Sequence, residues 1–103
     1  MAQFTGRMQG EALELTNVII QFDEDRRFRV LAGRIAVGSW AIHKVKAERT
    51  TIYRFDLDID GDPYEFFPDD PLGFSEAIGA VIDLSDTAGR FGLKARIAKA
   101  IER

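Results

Sequence analysis

The sequence predicts a mainly β domain, a small antiparallel barrel or sandwich of six or seven strands, capped by an amphipathic helix and followed by a second, basic C-terminal helix. Three observations carry this. Apolar residues in the first two thirds of the chain recur with a period of two, as in half-buried strands. Asp60-Gly61 separates two such runs, a dipeptide favoured in two-residue hairpin turns of the primed type. After Asp70 the period becomes helical, with Phe74, Ala77, Ile78, Val81 and Ile82 on one stripe. Strands followed by one such helix bury both apolar faces when the helix plugs the open end of the sheet.

Leu13 and Leu15 flank Glu14, Val18, Ile20 and Phe22 alternate with Ile19 and Gln21, and Phe28 and Val30 flank Arg29. Each run reads as a short strand, with Asp23-Glu24-Asp25 as a turn. Gly33 and Gly38 bracket Arg34-Ile35-Ala36-Val37, the segment from Trp40 to Ala47 follows, and this region fits one strand or a short turn followed by a strand. The clearest element runs from Thr51 to Phe67. Tyr53, Phe55, Leu57 and Ile59 share one strand face and Arg54, Asp56 and Asp58 the other. A two-residue turn at Asp60-Gly61 sets Leu57 opposite Tyr64 and Phe55 opposite Phe66, so both apolar sets meet on one side. Asp70-Pro71 opens the capping helix, the carboxylate accepting from first-turn amides and the proline standing where no N–H is needed.

At 103 residues, 46% hydrophobic and 30% charged, the chain suits one domain that buries about two thirds of its unfolded surface. The absence of cysteine excludes disulfides, thiolate metal sites and thiol nucleophiles and points to a reducing compartment. MAQFTGRMQG at the start lacks a continuous apolar stretch, so neither signal peptide nor membrane span is expected and the protein reads as cytoplasmic. A formal charge of −3 argues against a nucleic-acid partner. That charge is uneven. Residues 88–103 hold five basic groups against Glu102, net +4, and residues 1–87 hold 9 basic and 16 acidic groups, net −7. The polar run Ser85-Asp86-Thr87-Ala88-Gly89 marks the joint, dividing the chain into 1–87, the sheet with its capping helix, and 88–103, the basic helix.

The succession Arg34-Ile35-Ala36-Val37-Gly38-Ser39-Trp40-Ala41-Ile42-His43-Lys44-Val45, then Leu57-Asp58-Ile59-Asp60-Gly61-Asp62, Tyr64-Glu65-Phe66 and Asp70-Pro71-Leu72-Gly73-Phe74-Ser75-Glu76-Ala77-Ile78, resembles a bacterial pleckstrin-homology-like domain. The resemblance spans roughly residues 10 to 85 and rests on patterning. It implies a seven-stranded, strongly bent barrel with one capping helix and a short turn at Ser39-Trp40-Ala41-Ile42. Relatives use this scaffold for protein, peptide or lipid contacts and seldom as an enzyme.

Asp56-x-Asp58-x-Asp60-Gly61-Asp62 copies the first half of a calcium-binding EF-hand loop, yet Phe67 stands where the bidentate Glu belongs and the flanks read as strands. A solvated strand face with an Asp-Gly turn accounts for it, so no metal is expected. Asp56 falls opposite Glu65, with Asp58 nearby, and like charges facing each other disfavour a sheet. That patch suits a basic partner. Arg26, Arg27, Arg29 and Arg34 form a basic counterpart, in which Arg27 and Arg29 share a strand face and could clamp a phosphate. Phosphate or anionic-lipid sensing through these arginines is therefore the alternative function, with a membrane surface disfavoured by the acidic body. His43, the one histidine, has no nucleophile and acid beside it in sequence. No G-x-S-x-G, Walker or dinucleotide motif occurs, so neither catalysis nor a cofactor is expected.

Phe55, Tyr64, Phe66 and Phe74 read as core, whereas Phe67 points outward beside Asp56 and Glu65, and Trp40 falls at a turn, exposed. From Phe91, Leu93, Ile97, Ala100 and Ile101 form a stripe flanked by Lys94, Arg96 and Lys99. Three partners fit this basic helix: its own acidic body, a second copy, or a membrane or acidic protein. Opposite charge within residues 1–87 favours the first two. The sequence thus predicts a non-catalytic protein-interaction or scaffold module, binding a protein partner or a second copy of itself through Asp56, Asp58, Glu65, Phe67, Lys94, Ile97, Lys99 and Ile101.

Overall fold

The computed structural model describes residues 2–22 and 26–87, and within them the chain is mainly β. Its strands are β1 (Ala2–Gly10), β2 (Leu13–Phe22), β3 (Arg27–Ala32), β4 (Ile35–Ala41), β5 (Val45–Thr51), β6 (Arg54–Ile59), β7 (Asp62–Pro68) and β8 (Leu84–Asp86), with a 3-10 turn at Ile42–Lys44 and one α-helix, α1 (Pro71–Gly79). All eight strands join one sheet in the order β4-β3-β2-β1-β7-β6-β5-β8. Neighbours are antiparallel except β5 and β8. The sheet has two edges, β4 and β8, and does not close. The predicted basic helix, with Lys94, Ile97, Lys99 and Ile101, lies outside the described residues, as does the Asp23-Glu24-Asp25 turn.

The largest departure from expectation is β1, since the sequence predicts no strand before Leu13. It pairs with β2 from Ala2↔Phe22 to Gly10↔Leu13 and with β7 from Gly6↔Pro68 to Gly10↔Tyr64. Thus β1 joins the meander β1–β4 to the β5–β6–β7 ribbon. Leu13 through Phe22 form one strand rather than two, and Leu15 is consequently exposed. Tyr53 is not a core residue either. It is 65% exposed, because Thr51 pairs with Arg54 and leaves Ile52-Tyr53 as a two-residue turn, where the Thr51 hydroxyl accepts from the Tyr53 amide. Ser39 through Ala41 are strand, so the short turn comes one step later, at Ile42–Lys44. Trp40 lies opposite Phe28 and packs against the core.

The hairpin keeps its predicted register. Phe55 faces Phe66, Asp56 faces Glu65 and Leu57 faces Tyr64. Asp60 and Gly61 both take positive φ, 54° and 92°, as a primed turn of the I′ kind requires. The Asp58 carboxylate accepts from the Gly61 amide at 2.8 Å.

Helix α1 starts as predicted. The Asp70 Oδ1 accepts from the Gly73 amide at 3.0 Å, with Pro71 at the first helical position. Asp70→Ala should therefore destabilise the protein by about 1 kcal/mol, while Asp70→Asn recovers most of it; thermal melts of the two variants check this. The helix ends at Gly79, before Val81 and Ile82, although both still pack against the core. Phe22 on β2 and Phe55 on β6 are three strand spacings apart, about 14 Å in a flat sheet. Both rings nevertheless meet Phe74, at 6.5 Å and 4.9 Å between centroids. The sheet therefore curls around α1, and its outer face is left to solvent. Among the described residues no helix is long and apolar enough to cross a membrane.

Candidate interaction groove

Alternation along each strand sends Val45, Ala47, Phe55, Leu57, Ile59 and Phe66 into the core. The residues between them face outward. Register then aligns these outward side chains across the sheet. Ser85 on β8 pairs with Glu48 on β5, Glu48 with Asp56 on β6, Asp56 with Glu65 on β7, and Glu65 with Gln9 on β1. Three carboxylates thus stand side by side on adjacent strands. A second row, one pleat along, sets Lys46 opposite Asp58 and Asp58 opposite Pro63. The two rows line a groove of about 570 Å³, with the backbone of Ala47, Leu57 and Tyr64 between them because these side chains turn to the core.

Like charges directly opposite each other cost the sheet roughly 0.2–1 kcal/mol per pair, and several contacts offset part of this. Arg54 reaches Asp56 Oδ1 at 3.3 Å and Glu65 Oε2 at 3.5 Å. Gln9 Nε2 donates to Glu65 Oε1 at 2.6 Å, and the Thr87 hydroxyl donates to Glu48 Oε2 at 3.3 Å. Asp56 Oδ1 is buried and makes no hydrogen bond; the Arg54 contact has ion-pair distance without hydrogen-bond alignment. Four carboxylates against Lys46 and Arg54 leave the groove with a formal charge of −2. Strand β8 completes the wall, held to β5 by Arg49–Asp86 at 3.5 Å.

The structure brings together Asp56, Asp58 and Glu65, as the sequence predicted, and adds Glu48 and Gln9, which it did not. Phe67 follows on the same outward face, half-buried and opposite Arg7. The basic set is more dispersed. Arg27 and Arg29 share the outer face of β3, and Arg27 donates to the Ser39 hydroxyl at 3.0 Å. Arg26 precedes that strand, with a φ of 61°, whereas Arg34 follows it, about 20 Å away along six residues. His43 is exposed on the 3-10 turn. Among the described residues no three His, Asp or Glu side chains converge as a metal ion needs. Asp56 and Asp58 stand on a strand while Asp60 sits in the turn beyond it, which spreads the EF-hand-like carboxylates along the hairpin.

Compared with known proteins, the sequence matches no family model and no curated protein.

Proposed function

We propose that this chain is a non-catalytic protein-interaction module, built on a pleckstrin-homology-like scaffold, whose groove takes a basic and partly apolar segment of a protein partner or of a second copy. The row Glu48–Asp56–Glu65 carries the reading. Three carboxylates on neighbouring strands repel one another, and Arg54 compensates two of them from one side. A lysine or arginine laid across the row relieves the remaining repulsion, so the site gains more from a cation than an isolated surface carboxylate does. Phe67, half-buried on the same outward face and two residues beyond Glu65, suits a ligand carrying aliphatic groups beside its charges. Seven strands preceding one helix, in the sequential order of a meander and a three-stranded ribbon, support the scaffold.

The test is an amide chemical-shift titration of the full chain with a short amphipathic Lys/Leu peptide. Shifts should concentrate at Lys46, Glu48, Asp56, Asp58 and Glu65. The charge-neutral double variant Asp56→Asn/Glu65→Gln should weaken binding about tenfold, equivalent to about 1.4 kcal/mol. Its melting temperature should move little, because exposed ion pairs contribute about 0–1 kcal/mol. Raised salt should weaken binding in parallel. A peptide that shifts no groove amide either in this chain or in its Lys94→Glu/Lys99→Glu variant, whose own basic segment no longer competes, overturns the proposal. Phosphatidylserine vesicles that perturb Arg27 and Arg29 instead would transfer the function to the basic patch and to anionic lipid.

A further inference from the structure

The groove lies beside the point where the described chain ends. Strand β8 runs parallel to β5, its Ser85 forms part of the groove wall, and the Thr87 amide donates to the Arg49 carbonyl at 2.9 Å. The Thr87 hydroxyl also donates to Glu48, the first carboxylate of the row. The next sixteen residues carry Arg90, Lys94, Arg96, Lys99 and Arg103 against Glu102, interleaved with Leu93, Ile97 and Ile101. Their net charge of +4 opposes the groove's −2. Their chemistry, cations alternating with aliphatic side chains, suits the acidic row with Phe67 beside it.

We infer that residues 88–103 of the same chain occupy this groove, so that an outside partner must displace them. The inference rests on the groove being a site for basic segments, and adds which segment fills it. Reach permits it: the seven residues from Thr87 to Lys94 extend up to about 24 Å, and Glu48 to Glu65 is two strand spacings, about 10 Å. Tethering favours it, because a short linker holds its ligand at a millimolar effective concentration. A weak groove therefore fills from its own chain before it fills from a dilute second copy.

Paramagnetic relaxation measures this on the full chain. Native cysteine is absent, so Ala95→Cys accepts one nitroxide label, on the side of the predicted helix away from Leu93 and Ile97. Broadening should fall on amides 46–48, 56–58 and 63–65 and spare β3 and β4. Introducing Lys94→Glu and Lys99→Glu should reduce it severalfold. A mixture of spin-labelled chain at natural isotopic abundance with isotope-labelled, spin-free chain should show no groove broadening. If the mixture broadens the groove, a second copy fills it; the inference is then overturned while the groove remains a site for basic segments. If the groove is unbroadened in both samples, the inference is likewise overturned, and the Lys/Leu titration separately decides whether the groove binds basic peptides.

Discussion

Phe74→Ala is expected to destabilise the protein by about 3–5 kcal/mol, a large share of the roughly 5–15 kcal/mol that holds a domain of this kind together. Phe74 is fully buried, and its ring meets Phe4 at 5.4 Å, Phe22 at 6.5 Å and Phe55 and Phe66 at 4.9 Å each, all with interplanar angles between 65° and 85°. Those rings come from β1, β2, β6 and β7, so one side chain secures both halves of the curled sheet. Edge-to-face pairs contribute about 0.5–1.5 kcal/mol each beyond the buried area. Alanine forfeits all of them and leaves a cavity that four separate strands would have to move to fill. Helix α1 has nine residues and is too short to persist by its own propensity. Losing this anchor should thus release the helix as well. Urea denaturation followed by the single Trp40 and by circular dichroism checks the magnitude; Phe74→Leu should retain most of the stability. A loss under about 1 kcal/mol for alanine would show that the sheet does not depend on the helix.

Much of this arrangement was legible in the sequence, for local reasons. Asp60-Gly61 dictates its own turn type, and a two-residue turn dictates register, so Asp56 opposite Glu65 followed from counting. Asp70-Pro71 likewise declares a helix start by hydrogen-bonding chemistry confined to one turn. Strand β1 was harder. Its inward positions are Ala2, Phe4, Gly6 and Met8 and its outward ones Gln3, Thr5, Arg7 and Gln9, a period of two that two small residues dilute. What makes β1 a central strand is pairing with β7, 54 to 62 residues away, and no local pattern announces a partner at that distance.

The groove was half legible for the same reason. The acidic patch on the β6–β7 hairpin needed only the hairpin. Glu48 needed the register of β5 against β6, which is set by the turn Ile52-Tyr53 and a bulge between Arg49 and Thr51. Neither turn residue is Gly, Asn or Asp, so the sequence held no marker of where β5 stops. The alternation of Val45 and Ala47 with Lys46 and Glu48 was a usable signal for facing, though not for alignment. Strand β8 resembles a polar joint in the sequence because three residues, Leu-Ser-Asp, carry little strand character. Its pairing brings Ser85 and Thr87 to the acidic row.

Gly6→Ala tests the join between the two halves. Gly6 is buried at the crossing of three strands, opposite Val18 on β2 and Pro68 on β7. A methyl group there would stand 2.8 Å from a ring carbon of Phe66 and from Cα of Pro68, and closer still to the Phe67 carbonyl oxygen. Two of these three neighbours are backbone, which cannot rotate out of the way as the end of a side chain can. Replacing glycine by alanine usually stabilises by about 0.4–1 kcal/mol through the unfolded chain. Overpacking costs about 1–3 kcal/mol, so the clash should decide the sign and leave a net loss of about 1–2 kcal/mol. The loss should also be local. β1 must move away from β7, and hydrogen exchange should quicken along the Gly6–Gly10 ladder with Tyr64–Pro68 more than in β3 or β4. Gly33→Ala is the control: its φ of 65° strains alanine, but nothing lies within 4 Å of the added carbon. It should cost about 1–2 kcal/mol from backbone conformation alone without any selective opening of the β1–β7 ladder. If Gly6→Ala is neutral, or quickens exchange evenly, then β1 and β7 are not held at the close approach that places Gln9 on Glu65 and closes that side of the groove.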